Sequence, residues 1–439
     1  MVKAFGLFFE DKHIWLILGG SVLFSFILAI GVILLDTRMI NVVDYFPTVF
    51  LTSVNLAKSI LSLLAGSLFS VATFTFGTML SVISFYSSNF SPRTVENFLL
   101  QKTSMQTLGI FLGGFIYCLS SLFFMRNSED EYLVVSASIA LLYALACVFY
   151  FTKFVYNVAI SVQLNHLVTK LYKEAESVAD ETIEYFQEMP LLDHLPQIDT
   201  LHIFTVKANE SGYVEYINFD RLVELSKEFK GTIVLHLRIG EFISANQPLV
   251  DLYTNRKVKD ESQLQATINR TLTYEEKPSS MYDPNFARAK LIEVALRAVS
   301  PGINDPNTAI YILNYKALLD SKFASIPGRF VVMGEDTDET FSSGGNVIYD
   351  FNNFPKDLYE SYWQLIHYMK QDISGVVALF DSLLTVAYSA HPKKLNYIKD
   401  YSNYLFNLTS PNFTERLDIQ NIEERQQRIL GINHPELEE

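Results

Sequence analysis

The sequence has few cysteines and no excess of positive charge. Two Cys residues among 439 cannot form the disulfide framework of a small secreted domain or a Cys-based zinc site. With 34 Lys and Arg residues against 48 Asp and Glu residues, the net charge of −14 excludes the basic surface by which proteins bind nucleic acid. Hydrophobic residues make up 49% of the chain, which excludes the composition of a disordered protein.

Catalytic sequence motifs are absent as well. The chain contains no P-loop, no GxGxxG after a predicted strand, no GxSxG and no HExxH, and its eight His residues are scattered. We therefore predict no enzymatic activity, no cofactor and no metal site.

The two parts of the chain differ in charge and hydrophobicity. Residues 1–155 contain eight basic and eight acidic residues, whereas residues 156–439 contain 26 basic and 40 acidic residues and account for the whole net charge. The neutral part has four apolar stretches of about 18 or more residues, and a helix needs roughly 20 residues to cross a bilayer. They predict transmembrane spans over about 14–35, 59–88, 105–125 and 132–152. The sequence thus predicts an integral membrane protein with a four-helix transmembrane region followed by an α+β C-terminal region.

Four spans place both chain ends on the same side of the membrane, and the Lys and Arg residues indicate which side. With both ends inside, the cytoplasmic segments contain seven basic residues: Lys3, Lys12, Arg93, Lys102, Lys153, Lys170 and Lys173. The outer loops then contain three: Arg38, Lys58 and Arg126. By the positive-inside rule, we expect a multi-pass protein of the cell inner (plasma) membrane with cytoplasmic N- and C-termini.

The second span carries a stripe of small and hydroxylated residues. Intervals of 3, 4, 4, 3, 4, 4, 3 and 4 place them on one helix face for about 45 Å. The stripe consists of Ser59, Ser62, Gly66, Ser70, Thr73, Gly77, Ser81, Ser84 and Ser88. It is either a tightly packed helix interface or the hydroxyl lining of a permeation path formed by several subunits. No charged residue or His lies within the four span cores, so a proton relay has no obvious carrier there.

Two shorter motifs accompany the spans. After the stripe, Ser91 is a suitable N-cap and Pro92 a suitable first residue for an amphipathic helix at the cytoplasmic interface. Arg93 either binds lipid phosphate, closes a subunit contact or remains a surface arginine. Gly109 and Gly113 form a GxxxG pair in the third span, which predicts close helix packing.

The rest of the chain predicts a cytoplasmic α+β region built of a small β-rich module and a helical bundle. We expect a helical stalk and linker over 156–199, the β-rich module over 200–256, a mainly helical domain over 257–430 and an acidic tail over 431–439. Within the helical domain, residues 329–333 and 346–351 predict a hairpin. The stalk helix has an apolar seam along one face, which either docks on the rest of the cytoplasmic region or pairs with another subunit.

A polar turn joins two predicted helices of this region. Asp305 is placed as an N-cap with Pro306 at the first helical position, which explains the turn mechanically. Alternatively, Asp283, Arg297, Asn304 and Asp305 converge on a polar site. The candidate residues of the turn are Asp283, Arg297, Ser300, Pro301, Asn304, Asp305, Pro306 and Thr308.

Two segments carry a resemblance to a known family. Residues 88–93 (SNFSPR) and residues 295–309 (ALRAVSPGINDPNTA) occur in the same order as the matching segments of the bacterial predicted membrane proteins of domain of unknown function 2254. The hydrophobic profile and the SGYV segment of the β-rich module agree too, so the resemblance covers nearly the whole chain. It implies an inner-membrane protein and supplies no activity.

Two functions remain open after this comparison. The first is a homo-oligomeric channel or permeation protein, with the second span lining the path and the cytoplasmic region regulating it. The second is a membrane-anchored sensor or scaffold that binds a cytoplasmic ligand or protein without transport. The expected partners are the lipid bilayer, further copies of the chain, and an unidentified ion or small ligand.

Overall fold

The computed structural model describes residues 2–37, 39, 47–89, 102–125, 133–161, 163–258, 260–334 and 344–433, with residues 2–15 described by their backbone alone. The chain divides into two compact units, Met1–Leu167 and Val168–Glu439. We call the first the membrane unit and the second the C-terminal unit.

The membrane unit contains four helices that are long and apolar enough to cross a bilayer. They are α1 (Val2–Asp36), α2 (Val54–Asn89), α3 (Lys102–Phe124) and α4 (Ser136–Ser161). The four predicted spans are confirmed. With 36 residues, α2 is about 54 Å long, which exceeds the roughly 30 Å of a hydrocarbon core.

α3 is the central helix of the membrane unit. Half of its apolar window is buried, against 17–28% for the other three spans. Phe111 and Tyr117 of α3 are fully buried, and they pack in one core with Leu61 of α2 and Ala29 of α1. At one end of the bundle, β1 (Thr52–Ser53) pairs antiparallel with β2 (Leu133–Val134), which ties the start of α2 to the start of α4.

The helix after the fourth span is a separate element. The sequence predicts one helix that continues from span four into the stalk, but α4 ends at Ser161 and α5 covers Leu164–Phe186. The apolar seam of α5 packs within the C-terminal unit, where Val168 and Leu171 are buried and the rings of Tyr172 and Tyr315 lie 4.7 Å apart. The seam therefore docks on the rest of the C-terminal unit.

A six-stranded sheet forms the centre of the β structure in the C-terminal unit. Its strand order is β3-β10-β11-β6-β8-β4. The strands are β3 (Leu191–Leu192), β4 (His202–Lys207), β6 (Gly231–Leu235), β8 (Pro248–Thr254), β10 (Phe330–Met333) and β11 (Asn346–Asp350). The predicted hairpin is confirmed by β10 and β11, which pair antiparallel. β11 also pairs in parallel with β6, so the sheet joins the segments predicted as separate β-rich and helical domains.

Two helices and a smaller sheet complete this part of the fold. The smaller sheet has the order β7-β5-β9, with β5 (Gly212–Ile217) between β7 (Phe242–Ile243) and β9 (Leu272–Glu275). The helices are α6 (Phe219–Phe229) and α7 (Glu261–Asn269).

Six further helices form the remainder of the C-terminal unit. They are α8 (Pro284–Ala298), α9 (Pro306–Ala324), α10 (Phe354–Met369), α11 (Ile373–Ser389), α12 (Pro392–Thr409) and α13 (Arg416–Leu430). Four of them begin with Pro in the first turn after a capping side chain, where its missing N–H costs no helical hydrogen bond. α11 is the most apolar and lies in the core. The predicted acidic tail lies outside the described residues from position 434 onwards.

Candidate functional site

The stripe on α2 is exposed over its whole length in the membrane unit. All nine stripe residues are solvent-accessible, whereas Ala57, Leu61, Ala65, Leu68, Ala72, Thr75, Met79, Val82 and Tyr86 are buried. Ser70, Gly77 and Ser81 each follow a buried residue by two positions, which is about 200° around a helix. The stripe therefore lies on the face of α2 opposite to the face that packs in the bundle.

Four of the seven hydroxyl groups of the stripe, those of Ser59, Ser70, Thr73 and Ser81, are hydrogen-bonded within α2. Ser70 Oγ donates to the Gly66 carbonyl at 2.9 Å, and Thr73 and Ser81 donate to the carbonyls four residues before them at 2.9 and 3.0 Å. These bonds satisfy the donors of these four hydroxyl groups without an acceptor from another helix. Gly66 and Gly77 have open space where a side chain would stand.

The motif that follows the stripe cannot be placed. Ser91, Pro92 and Arg93 lie outside the described residues.

The N-cap prediction for the polar turn is confirmed. Asp305 Oδ1 accepts a hydrogen bond from the Thr308 backbone N–H at 3.2 Å, and Asp305 Oδ2 accepts from the Thr308 hydroxyl at 2.6 Å. Pro306 occupies the first turn of α9. Asn304 has a φ of +51°, in the left-handed region that Asn tolerates better than most residues. Ser300 Oγ donates to the Arg297 carbonyl at 2.7 Å and closes the end of α8.

The substitution Asp305→Ala measures this cap. We expect it to lower the free energy of unfolding by about 1 kcal/mol, because the first turn of α9 loses its side-chain acceptor. Chemical unfolding of the full chain in detergent micelles, followed by circular dichroism, provides the measurement. Asp305→Asn retains an acceptor oxygen and should lose much less. Equal losses in both variants would show that the charge, and not the cap, matters at this position.

Asp283 lies apart from the rest of the turn. It caps the N-terminus of α8, where its carboxylate accepts a hydrogen bond from the Asn285 N–H at 2.8 Å. The turn lies at the C-terminus of the same helix. Because α8 has 15 residues, its two ends are about 22 Å apart. Asp283 is buried against Gly240, and its carboxylate occupies the space that a side chain at position 240 would need. The φ of Gly240, +87°, is a second reason for glycine at this position. Burial raises the pKa of Asp283 to about 6. The structure brings together the residues from Arg297 to Thr308 and leaves Asp283 in a different environment.

Sequence reasoning missed a buried charge cluster in the C-terminal unit. Asp320 on α9 accepts from Arg288 on α8 at 2.8 Å and from Lys316 Nζ at 2.5 Å. All three side chains are at most 6% exposed. Lys316 Nζ lies 3.3 Å from the ring centroid of Tyr362, whose hydroxyl is 2.5 Å from Ser382 Oγ. Burial lowers the pKa of Lys316 to about 8.

The cluster lies in the core of the C-terminal unit. Each charged group is hydrogen-bonded to a partner, and burial closes the cluster to a substrate. Across the described residues, no three His, Cys, Asp or Glu side chains stand close enough to hold a metal ion. One signal in the sequence indicates part of the charge cluster: Lys316 and Asp320 are spaced i,i+4 between apolar residues of a helix.

Comparisons with known proteins agree with a membrane protein. An uncharacterized protein of Mycobacterium bovis is 24% identical over 288 residues, which cover 61% of this chain and 53% of that protein. An uncharacterized protein of Mycobacterium tuberculosis gives the same values. The chain therefore spans about half the length of the curated relatives it matches. No solved structure matches the chain.

A family model described as a predicted membrane protein (DUF2254) matches residues 11–385. This match includes the four spans, the polar turn, the buried charge cluster and both sheets. Since it covers well over half of the chain, the protein belongs to the DUF2254 family of predicted membrane proteins.

Proposed function

We propose that the protein is a homo-oligomeric channel or permeation protein of the inner membrane, in which the α2 helices of several subunits line the path. The observation that carries the proposal is the exposure of all nine stripe residues on the face of α2 that the bundle leaves uncovered. The C-terminal unit is then a cytoplasmic regulatory region, an orientation that the distribution of Lys and Arg residues supports.

The chemistry of the stripe differs from that of the neighbouring lipid-facing surface. Beside it, α2 exposes large apolar side chains: Leu63 is 72% exposed, Phe74 63% and Leu80 50%. Such side chains suit acyl chains, whereas a face of Ser, Thr and Gly suits a close helix or water. Hydroxyl oxygens are neutral dipoles, so they can line water without holding an ion tightly.

Ion flux through liposomes tests the proposal. We expect purified protein in liposomes to pass small ions along a concentration gradient, and Thr73→Leu to reduce that flux towards the level of protein-free liposomes. Thr78→Leu is the matched control, because Thr78 lies off the stripe on the same helix and also donates to its own backbone, at 2.9 Å from the Phe74 carbonyl. Native mass spectrometry in detergent should show more than one copy per particle. Flux equal to protein-free liposomes for the unmodified chain would overturn the proposal.

One observation favours a second function, a membrane-anchored sensor or scaffold without transport. The stripe hydroxyls donate to carbonyls of α2 itself, which also suits a dry contact between helices. In that case the oligomer has its Ser70–Ser81 face packed against protein without an axial cavity, and no variant changes flux. An oligomeric structure in lipid separates the two functions.

A further inference from the structure

A small cavity lies at the end of the membrane unit where α1 and α3 end. Its volume is about 20 Å³, which is enough for one water molecule or one ion of similar size. The walls come from the last turns of α1 and α3 and from Val134, next to the start of α4. The stripe on α2 contributes nothing to it, so the cavity is independent of the function proposed above.

An unpartnered polar group faces this cavity. Ser121 of α3 lines the cavity and is 2% exposed, and its Oγ makes no hydrogen bond within the described part of the chain. Tyr117, one turn before it, donates its hydroxyl hydrogen to the Ser136 carbonyl at 2.9 Å. A buried hydroxyl without a partner costs about 1–3 kcal/mol, and a ligand in the cavity that its oxygen can coordinate would recover part of that cost.

A carboxylate supplies a negative charge at the wall of this cavity. Asp36, the last residue of α1, lines the cavity and accepts from the backbone N–H groups of Val135 at 2.8 Å and Ser136 at 3.3 Å. These bonds fix the carboxylate at the start of α4 and leave lone pairs on both oxygens, since an ionised carboxylate has about four acceptor positions.

The helix ends add to the negative potential. α1 and α3 both end at the cavity, and the last carbonyl groups of a helix lack intrahelical partners and carry partial negative charge. Helix C-terminal ends of this kind coordinate sodium in transporters. A single carboxylate that already accepts two amide bonds is too weak for a divalent ion, which prefers several carboxylates.

We propose that this cavity is a binding site for a monovalent cation of the size of sodium, with Asp36 and Ser121 as side-chain ligands. The remaining ligands are carbonyl oxygens of the last turns of α1 and α3 or water.

Sodium-dependent thermal stability of the full chain tests the proposal. In detergent micelles, replacing choline chloride with NaCl at constant ionic strength should raise the unfolding midpoint by about 2–4 °C. Ser121→Ala should abolish this rise, and its midpoint in choline chloride should be at or above that of the unmodified chain, because the change removes a buried hydroxyl that has no hydrogen-bond partner among the described residues. Asp36→Asn should also abolish it, while its amide oxygen can still accept from Val135.

Ser104→Ala is the matched control. Ser104 lies near the start of α3, is fully buried, and its Oγ also has no partner among the described residues. It should retain the full response to sodium. Equal midpoints in NaCl and choline chloride for the unmodified chain would overturn the proposal, as would a sodium response that survives Ser121→Ala. Should Asp36→Asn fail to fold, Ser121→Ala still decides.

Discussion

Asp320→Ala should lower the free energy of unfolding of the C-terminal unit by about 3–5 kcal/mol. The substitution leaves two positive charges, Arg288 and Lys316, buried without their shared carboxylate. Neither can reach water, because their side chains are 6% and 1% exposed. Since a whole domain is stable by only about 5–15 kcal/mol, the variant should unfold at much lower denaturant concentration. Chemical unfolding of the full chain in detergent, followed by circular dichroism, measures the loss.

Asp381→Ala is the control for this substitution. Asp381 accepts from Arg425 at 2.9 Å, also between two helices of the same unit, but its side chain is 44% exposed. Exposed pairs contribute about 0–1 kcal/mol, so this variant should unfold almost like the unmodified chain. Similar losses for the two variants would show that burial does not determine the strength of the Asp320 cluster. Asp320→Asn, which keeps the shape and one acceptor, should fall between them.

Gly113→Ala should destabilise the membrane unit by about 1–3 kcal/mol, although it adds one methyl group. Gly113 lies where α3 crosses α1 and α4. Its new Cβ would overlap Ser25 Oγ and lie 2.7 Å from the Tyr143 hydroxyl oxygen and 3.1 Å from the Ser21 carbonyl oxygen. It would also disturb the 2.8 Å hydrogen bond between Ser25 and Tyr143. Thermal unfolding in detergent should show a lower midpoint.

Gly66→Ala provides the opposite case in the same bundle. No atom lies within 4 Å of the position that its Cβ would take, and Ala is the better helix former by roughly 0.5–1 kcal/mol. The monomer should therefore become slightly more stable. A midpoint for Gly113→Ala at or above that of Gly66→Ala would contradict the close packing of α3 against α1.

The elements that could be predicted from the sequence are those that local patterns determine. Apolar length is enough to predict four spans, since the bilayer imposes the same length on any helix that crosses it. The GxxxG pair predicted the close approach of α3, and Asp305 with Pro306 predicted the start of α9 correctly, because an N-cap needs neighbours in sequence alone. The periodicity of the stripe predicted that its residues share one face, and it left open what that face contacts.

The features that could not be predicted depend on residues far apart in the chain. Arg288 and Asp320 lie on different helices, and nothing near either residue indicates that they meet. Asp36 and Val135 are separated by 99 positions, so the capping of α4 by the end of α1 has no local pattern. The parallel pairing of β6 with β11 has no local pattern either, so the sequence alone places a domain boundary at residue 256. The break after Ser161 carries no Pro or Gly to indicate it.

That parallel pairing has a consequence for the order in which the protein folds during synthesis. β6 is complete at Leu235, but its partner β11 begins at Asn346, so the ribosome adds 110 further residues before this edge of β6 can be closed. In the meantime β6, β8 and β4 form a three-stranded piece whose open edge can pair with other chains. By then the four spans have long left the ribosome. A nascent chain already held in the membrane is confined to two dimensions beside its own copies, so the open edge of β6 is the place where pairing between chains would begin before Asn346 is made.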